Sequence, residues 1–253
     1  MWVLGELIHN SHVISELEGM GIKTVDELPE NEGGICVIRS HGASPEVLEN
    51  AKNKGFEVVD LTCPDVKKVQ QKAIQLAQEG FLLLILGKPE HPEVLAIKAN
   101  AQIYSDKVFV IPDIETLKNI EKEIKDYKKV GVVIQTTQKI DFLKETVNFL
   151  LPITQELKVF NTICASTAMR QKEARELAQN SDLVIVVGSK KSANTTHLAE
   201  ILSPLTKTIH IETQNELEDY SEIIRKAQNI GVTAGASTPD NIIKNVMEKL
   251  EKY

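Results

Sequence analysis

Aromatic side chains are scarce, at 4% of 253 residues with a single tryptophan, and lysine and arginine form no dense block. A base-stacking platform and a basic nucleic-acid surface are both disfavoured by that composition. A formal charge of −7 points the same way. Apolar runs are short, with nothing near the roughly 18 consecutive residues of a membrane span. No basic, then apolar, leader opens the chain. Only Cys36, Cys63 and Cys164 carry thiols. They are too few for a secreted disulfide framework, and none sits in a CxxC zinc pattern. Neither GxxxxGK[ST] nor a persuasive GxGxxG occurs, so a glycine-rich nucleotide loop is not expected. These absences leave a soluble, cytoplasmic α/β protein with no nucleic-acid or membrane partner. Its length exceeds the usual domain of ~100–200 residues, so two or more α/β units are expected.

Apolar runs of strand length alternate with stretches of helical period. The pattern predicts helices near 10–20, 44–54, 65–79, 92–100, 139–150, 167–179, 194–203 and 239–252. It predicts strands near 2–5, 35–39, 56–61, 81–86, 108–111, 130–135, 158–163, 183–187, 208–211 and 229–233. Such alternation implies mainly parallel sheets covered by helices. Ligands of such sheets bind beyond the carboxyl ends of the strands.

One turn stands out. In "LTCPDVKKV" (61–69), Cys63 ends a strand and Pro64 suits the first position of a helix. A helix N-terminus favours a thiolate. The position is either reactive or ligating, or merely a small residue at a tight turn. A repeat bears on the choice. Residues 56–93 match 157–194 at a shift of 101: Cys63 falls on Cys164, Gly87 on Gly188, His91 on Ser192. At the same shift Thr136 falls on Ser237. "WVLGELIHN" repeats the glycine-plus-four spacing with Gly5 and His9, and "GICVIRSHGAS" corresponds to "VGVVIQTT". The reading is three pseudo-repeated α/β units around a central cavity: 1–62 (N-terminally incomplete), 63–160 and 161–253. A third cysteine is expected roughly 24 residues before Gly5, ahead of Met1.

His, Ser, Thr and Asn near several helix N-termini suit a diphosphate. Cysteines arriving singly from separate repeats suit a shared iron–sulfur cluster. Individually, most of these residues also have a plain structural explanation. His41 and Ser192 or Asn194 could cap helices, and Glu93 could be a solvated first-turn acid. Cys36, inside the apolar strand "ICVI", reads as core.

The ordered set of motifs resembles the IspH/LytB family, the 4-hydroxy-3-methylbut-2-enyl diphosphate reductases. The matching pieces are "IHN" (8–10), "SHGAS" (40–44), "TCP" (62–64), "HPEV" (91–94), "QTT" (135–137), "TIC" with "RQKEA" (162–174), "VVGSKKSAN" (186–194) and "GVTAGASTPD" (231–240). The resemblance implies a [4Fe–4S] cluster, with Cys63 and Cys164 as two of three cysteine ligands. The third lies in a family segment that would precede Met1. It implies His9, His41 and His91 around the diphosphate, with Ser192, Asn194 and Ser237 as neutral partners. It makes Glu93 the proton-delivering carboxylate, with His91 beside it and Thr136 near the substrate hydroxyl. The implied reaction removes the allylic hydroxyl with two electrons and two protons, yielding isopentenyl and dimethylallyl diphosphate in the methylerythritol phosphate pathway. An electron donor such as ferredoxin or flavodoxin is implied with it. Ala193 replaces a family serine, and Leu95 and Ala96 replace an acidic residue and a glycine. A cluster-less relative that binds a diphosphate without catalysis is the alternative expectation.

Overall fold

A computed structural model describes residues 1–5, 11–30 and 32–253, excluding the side chains of 11–13. His9 therefore lies outside the described residues. The described residues form two compact units, one of 1–5 and 14–164 and the other of 11–13 and 165–253.

The first unit opens with β1 (Trp2–Leu4), α1 (Ser11–Gly19), β2 (Lys23–Val25), β3 (Gly34–Ile38), α2 (Pro45–Asn53) and β4 (Phe56–Asp60). Their strands form a sheet of order β2-β1-β3-β4. The chain continues through α3 (Pro64–Gln78), β5 (Leu82–Leu86), α4 (Pro92–Gln102), β6 (Val108–Ile111), α5 (Ile114–Asn119), α6 (Glu121–Lys125), β7 (Lys129–Ile134), α7 (Ile140–Leu150) and β8 (Glu156–Phe160). This second sheet has the order β6-β5-β7-β8. The other unit holds α8 (Ala165–Gln179), β9 (Leu183–Val187), α9 (Ala193–Leu202), β10 (Lys207–Ile211), a 3-10 turn (Gln214–Tyr220), α10 (Ser221–Lys226), β11 (Ile230–Ala234) and α11 (Asp240–Leu250). Its sheet has the order β10-β9-β11. Every strand pair among the described residues is parallel. Among the described residues no helix is long and apolar enough to cross a membrane.

β5, "LLLIL", is buried at every position. Successive side chains of a strand point to opposite faces. Leu83 and Ile85 pack with α3 and α4, and Leu82, Leu84 and Leu86 with α5, α6 and α7. β9, "LVIVV", divides the same way between α8 and α9 on one face and α10 and α11 on the other. Each fully buried aliphatic side chain contributes roughly 1.5–3 kcal/mol. In both sheets the first strand has its successor on one side and the next strand on the other. That reversal is the switch point where open parallel sheets bind ligands.

α3 forms because Val66, Val69, Ala73, Leu76 and Ala77 recur at helical spacing on one buried face. Pro64 starts it and Gly80, at φ 79°, follows its end. It follows β4 of one sheet yet packs on the sheet built around β5. α8 likewise follows β8 and packs on the sheet of β9. Cys63 and Cys164 thus stand where the chain passes from one sheet to the next.

The repeat is visible in matching hydrogen bonds. The N–H groups of Gly5, Gly87 and Gly188 donate to the last carbonyls of β2, β6 and β10, at 2.7, 3.0 and 2.9 Å. One expectation changes. β5 and β9 correspond at a shift of 101, but β7 and β11 at 100, since Leu82 pairs Val130 and Leu183 pairs Ile230. Gln135 and Gly235 donate to the equivalent carbonyls of Leu86 and Val187. Thr136 therefore corresponds to Ala236, and Ser237 to Thr137. The stretch between β5 and β7 is one residue longer than the stretch between β9 and β11, so the register slips there.

Several elements differ from expectation. β8 begins two residues earlier than expected and stops at Phe160 rather than 163. The Thr162 hydroxyl then bonds both the N–H and the carbonyl of Ile134, taking over from backbone pairing. β2, α5, α6, the 3-10 turn and α10 were not expected. β2 has three residues and lies at a sheet edge, too short for a period to register.

Candidate active site

The loops after β5 and β7 meet at a buried carboxylate. His91 caps α4, its Nδ1 accepting the Glu93 N–H at 3.2 Å, and Pro92 occupies the first helical position. Accepting at Nδ1 leaves the ring proton of a neutral His91 on Nε2. Glu93 is 1% exposed, so it is not the solvated first-turn acid its position alone suggests. Its Oε1 accepts the Thr136 N–H at 2.7 Å and its Oε2 accepts the Thr136 hydroxyl at 2.7 Å. Burial pushes its pKa up to about 7, against the two Thr136 bonds that pull it down. Such a carboxyl can hold or release a proton near neutrality.

Thr136 also joins this carboxylate to a thiol-bearing turn. Its carbonyl accepts the Cys164 N–H at 3.0 Å. In the earlier copy the Cys63 N–H donates to the Ser40 carbonyl at 2.9 Å, next to His41. His41 stands edge-on to His91, with ring centroids 5.2 Å apart. It does not cap α2, because Ser44 does, accepting the Val47 N–H at 3.3 Å. His41, His91, Thr136 and both half-buried cysteines therefore lie just past strand ends of one unit, with Glu93 in the first turn of α4. Cys36 is fully buried in β3, and burial raises its thiol pKa, as expected of a core residue.

Ser192, Asn194 and Ser237 belong to the other unit. Ser192 caps α9, with Oγ 3.5 Å from the Thr195 nitrogen. Asn194 is no cap. It is the counterpart of Glu93, 6% exposed, and neither its Oδ1 nor its Nδ2 has a hydrogen-bond partner among the described residues. Glu93 finds Thr136, whereas the matching position here is Ala236, which offers no hydroxyl. A buried unpartnered amide is costly. Ser237 is half-buried just past β11.

Gln135 was quoted only as part of "QTT", yet it braces the loop after β5. It is fully buried, its Oε1 accepts the Lys88 N–H at 3.2 Å, and its Nε2 donates to Thr137 Oγ1 at 3.2 Å. A Cβ at position 87 would lie 2.7 Å from that Oε1, so the approach requires Gly87. A glycine opposite a polar strand-end residue was the available signal.

The donor set admits a test for iron–sulfur ligation. Cys63 and Cys164 each precede a 15-residue helix, and Cys63 spends its side chain on no capping bond. Two thiols at helix N-termini fit as soft ligands of iron. Among the described residues no group of three or more His, Cys, Asp or Glu side chains is arranged around a single metal ion.

These features define a parallel α/β enzyme with a buried carboxyl at the start of α4 and two half-buried thiols just past strand ends. The chain belongs to the LytB protein family, whose model matches residues 1–251. It is 42% identical over 253 residues to the 4-hydroxy-3-methylbut-2-enyl diphosphate reductase of Geobacter sulfurreducens, covering 100% of this chain and 86% of that protein. The Aquifex aeolicus reductase of that name is 38% identical with the same coverage. A solved structure of (E)-4-hydroxy-3-methyl-but-2-enyl diphosphate reductase, the terminal enzyme of the non-mevalonate pathway, matches at 37% identity and TM-score 0.70. It covers 100% of this chain and 88% of the other. The Plasmodium falciparum E-1-hydroxy-2-methyl-but-2-enyl-4-diphosphate reductase matches in fold, at TM-score 0.87 and 24% identity, covering 98% and 77%.

Proposed function

We infer that this chain is a 4-hydroxy-3-methylbut-2-enyl diphosphate reductase. The reaction breaks the allylic C–O bond, takes up two electrons and two protons, releases water, and yields isopentenyl and dimethylallyl diphosphate. The observation that carries this reading is the buried Glu93–Thr136 pair, with a carboxyl pKa near 7, one peptide group from Cys164.

Glu93 holds the proton that leaves with the hydroxyl oxygen, since a departing hydroxide needs an acid within reach. Thr136 orients that carboxyl, and its hydroxyl is assigned to the substrate oxygen. His91 fixes the start of α4 and, with His41 and His9, is assigned to the diphosphate. Ser192, Asn194 and Ser237 are assigned as its neutral hydrogen-bond partners. Cys63 and Cys164 would hold a [4Fe–4S] cluster as two of its thiolate ligands. When bound, that group supplies the two electrons and a Lewis-acidic iron. A small acidic electron carrier such as ferredoxin or flavodoxin is proposed as donor. We also propose that 1–62, 63–160 and 161–253 are three copies of one α/β unit, a division supported by the matching glycine bonds.

The test is anaerobic reconstitution with iron and sulfide, followed by turnover of the allylic diphosphate under an artificial reductant. Glu93→Gln should keep substrate affinity and lose roughly 10²–10⁴-fold in kcat, the usual contribution of a positioned acid. Wild-type turnover in that variant would overturn the assignment.

A further inference from the structure

The loop from Gly188 to Ser192 carries the cap of α9 and leads directly into Asn194. It is tied to the segment after β10. The Lys190 N–H donates to Glu212 Oε1 at 2.7 Å, and its Nζ lies 2.7 Å from Glu216 Oε2. Glu216 Oε1 accepts the N–H groups of Glu212 at 2.6 Å and Thr213 at 3.1 Å. The Lys190 carbonyl accepts the Thr196 hydroxyl at 3.1 Å. Both backbone groups of Lys190 and its ammonium are therefore engaged.

The other copy of this loop explains why such a tie is needed. There, buried Gln135 braces the loop from inside through the Lys88 N–H. The counterpart of Gln135 is Gly235, which has no side chain. The inner brace is gone; His210 Nε2 lies 2.9 Å from the Gly188 carbonyl at the start of the loop after β9, and the rest of it is held from outside by carboxylates of the neighbouring strand end.

We propose that Lys190, Glu212 and Glu216 form a clamp that positions the Gly188–Ser192 loop for diphosphate binding by Ser192 and Asn194. Lys190 is a positioning residue and not itself a phosphate ligand. Its ammonium is committed to Glu216, and the two carboxylates beside it would repel an approaching diphosphate. A lone exposed ion pair does little. Here several bonds converge on two carboxylates, and such networks act together. The proposal rests on the diphosphate reading of Ser192 and Asn194.

The test uses the full reconstituted chain with Lys190→Met, Glu216→Gln and Lys190→Arg. Amide hydrogen exchange over 186–196 should speed up about tenfold or more in the first two variants and little in the arginine variant. The KM for the allylic diphosphate should rise roughly tenfold in those two while kcat stays within about twofold, the signature of lost uniform binding. Affinity for inorganic pyrophosphate, read by calorimetry, should fall in parallel. Unchanged exchange overturns the clamp. A raised KM with unchanged exchange makes Lys190 a direct ligand and overturns it equally. If the wild-type chain neither turns over the diphosphate nor binds pyrophosphate, the functional reading fails and the clamp's role in binding fails with it. The exchange measurement still decides whether the clamp orders the loop.

Discussion

At the scale of the residue, Glu93 and Asn194 are the same position in two copies and face opposite problems. Glu93 is buried with two donors, and its pKa is raised from an ordinary 4.5 to about 7. A carboxyl whose folded pKa is raised binds its proton more tightly folded than unfolded. Its contribution is intact below about 4.5 and is lost as the pH climbs through about 7. The stability of the wild type relative to Glu93→Gln should therefore fall across that window, as read by denaturant titration at several pH values. Parallel pH profiles would mean that the carboxyl is not desolvated. Thr136→Val removes one donor to the carboxylate, so the raised pKa should rise further. The pH–rate profile should then shift its acid-dependent limb upward. Asn194 has the reverse signature. Asn194→Leu removes an unpartnered amide and should stabilise the fold by about 1 kcal/mol while weakening binding of the diphosphate. A variant that loses both stability and affinity would show that the amide is satisfied within the fold.

At the scale of the element, helices are held to their sheets through glycines in the strands. A Cβ at Gly131 of β7 would lie 2.7 Å from Leu76 of α3, and one at Gly231 of β11 would lie 2.7 Å from Leu177 of α8. The two helices bearing the cysteines at their starts thus press on their sheets at matching points. Gly131→Ala should cost about 1–3 kcal/mol through this overpacking, measurable by denaturant unfolding. A neutral result would mean that Leu76 swings aside freely. Elements that escaped the sequence reading had signals of their own. Asp113 caps α5 through the Thr116 N–H at 2.7 Å, and Thr213 with Glu216 forms a capping box. The helices they begin are short, so no long period accompanied them.

At the scale of the molecule, two thiols from separate turns are assigned to one cluster. If both hold the same group, Cys63→Ser and Cys164→Ser should each abolish most of the visible iron–sulfur absorbance, and neither should leave half of it. Anaerobic reconstitution with iron and sulfide assays reads this directly. Two independent half-occupied signals would separate the cysteines. Cys36→Ala, fully buried in β3, should leave the absorbance intact while lowering stability.

Most strand positions, the parallel pairing and the loops that carry the motifs were legible from the sequence, because buried parallel strands are continuous apolar runs and ligand loops follow their carboxyl ends; the order of strands within each sheet was not. The 101-residue spacing that relates Cys63 to Cys164 and Gly87 to Gly188 was legible too. Tertiary structure decided what spacing could not. It slipped the register by one between β5 and β7, matching Thr136 to Ala236 and not to Ser237. It buried Glu93 against the Thr136 N–H and hydroxyl, and it left Asn194 without either. A residue's protonation and pairing depend on what the fold brings within hydrogen-bond distance and on how much water it removes. No local pattern contains either quantity.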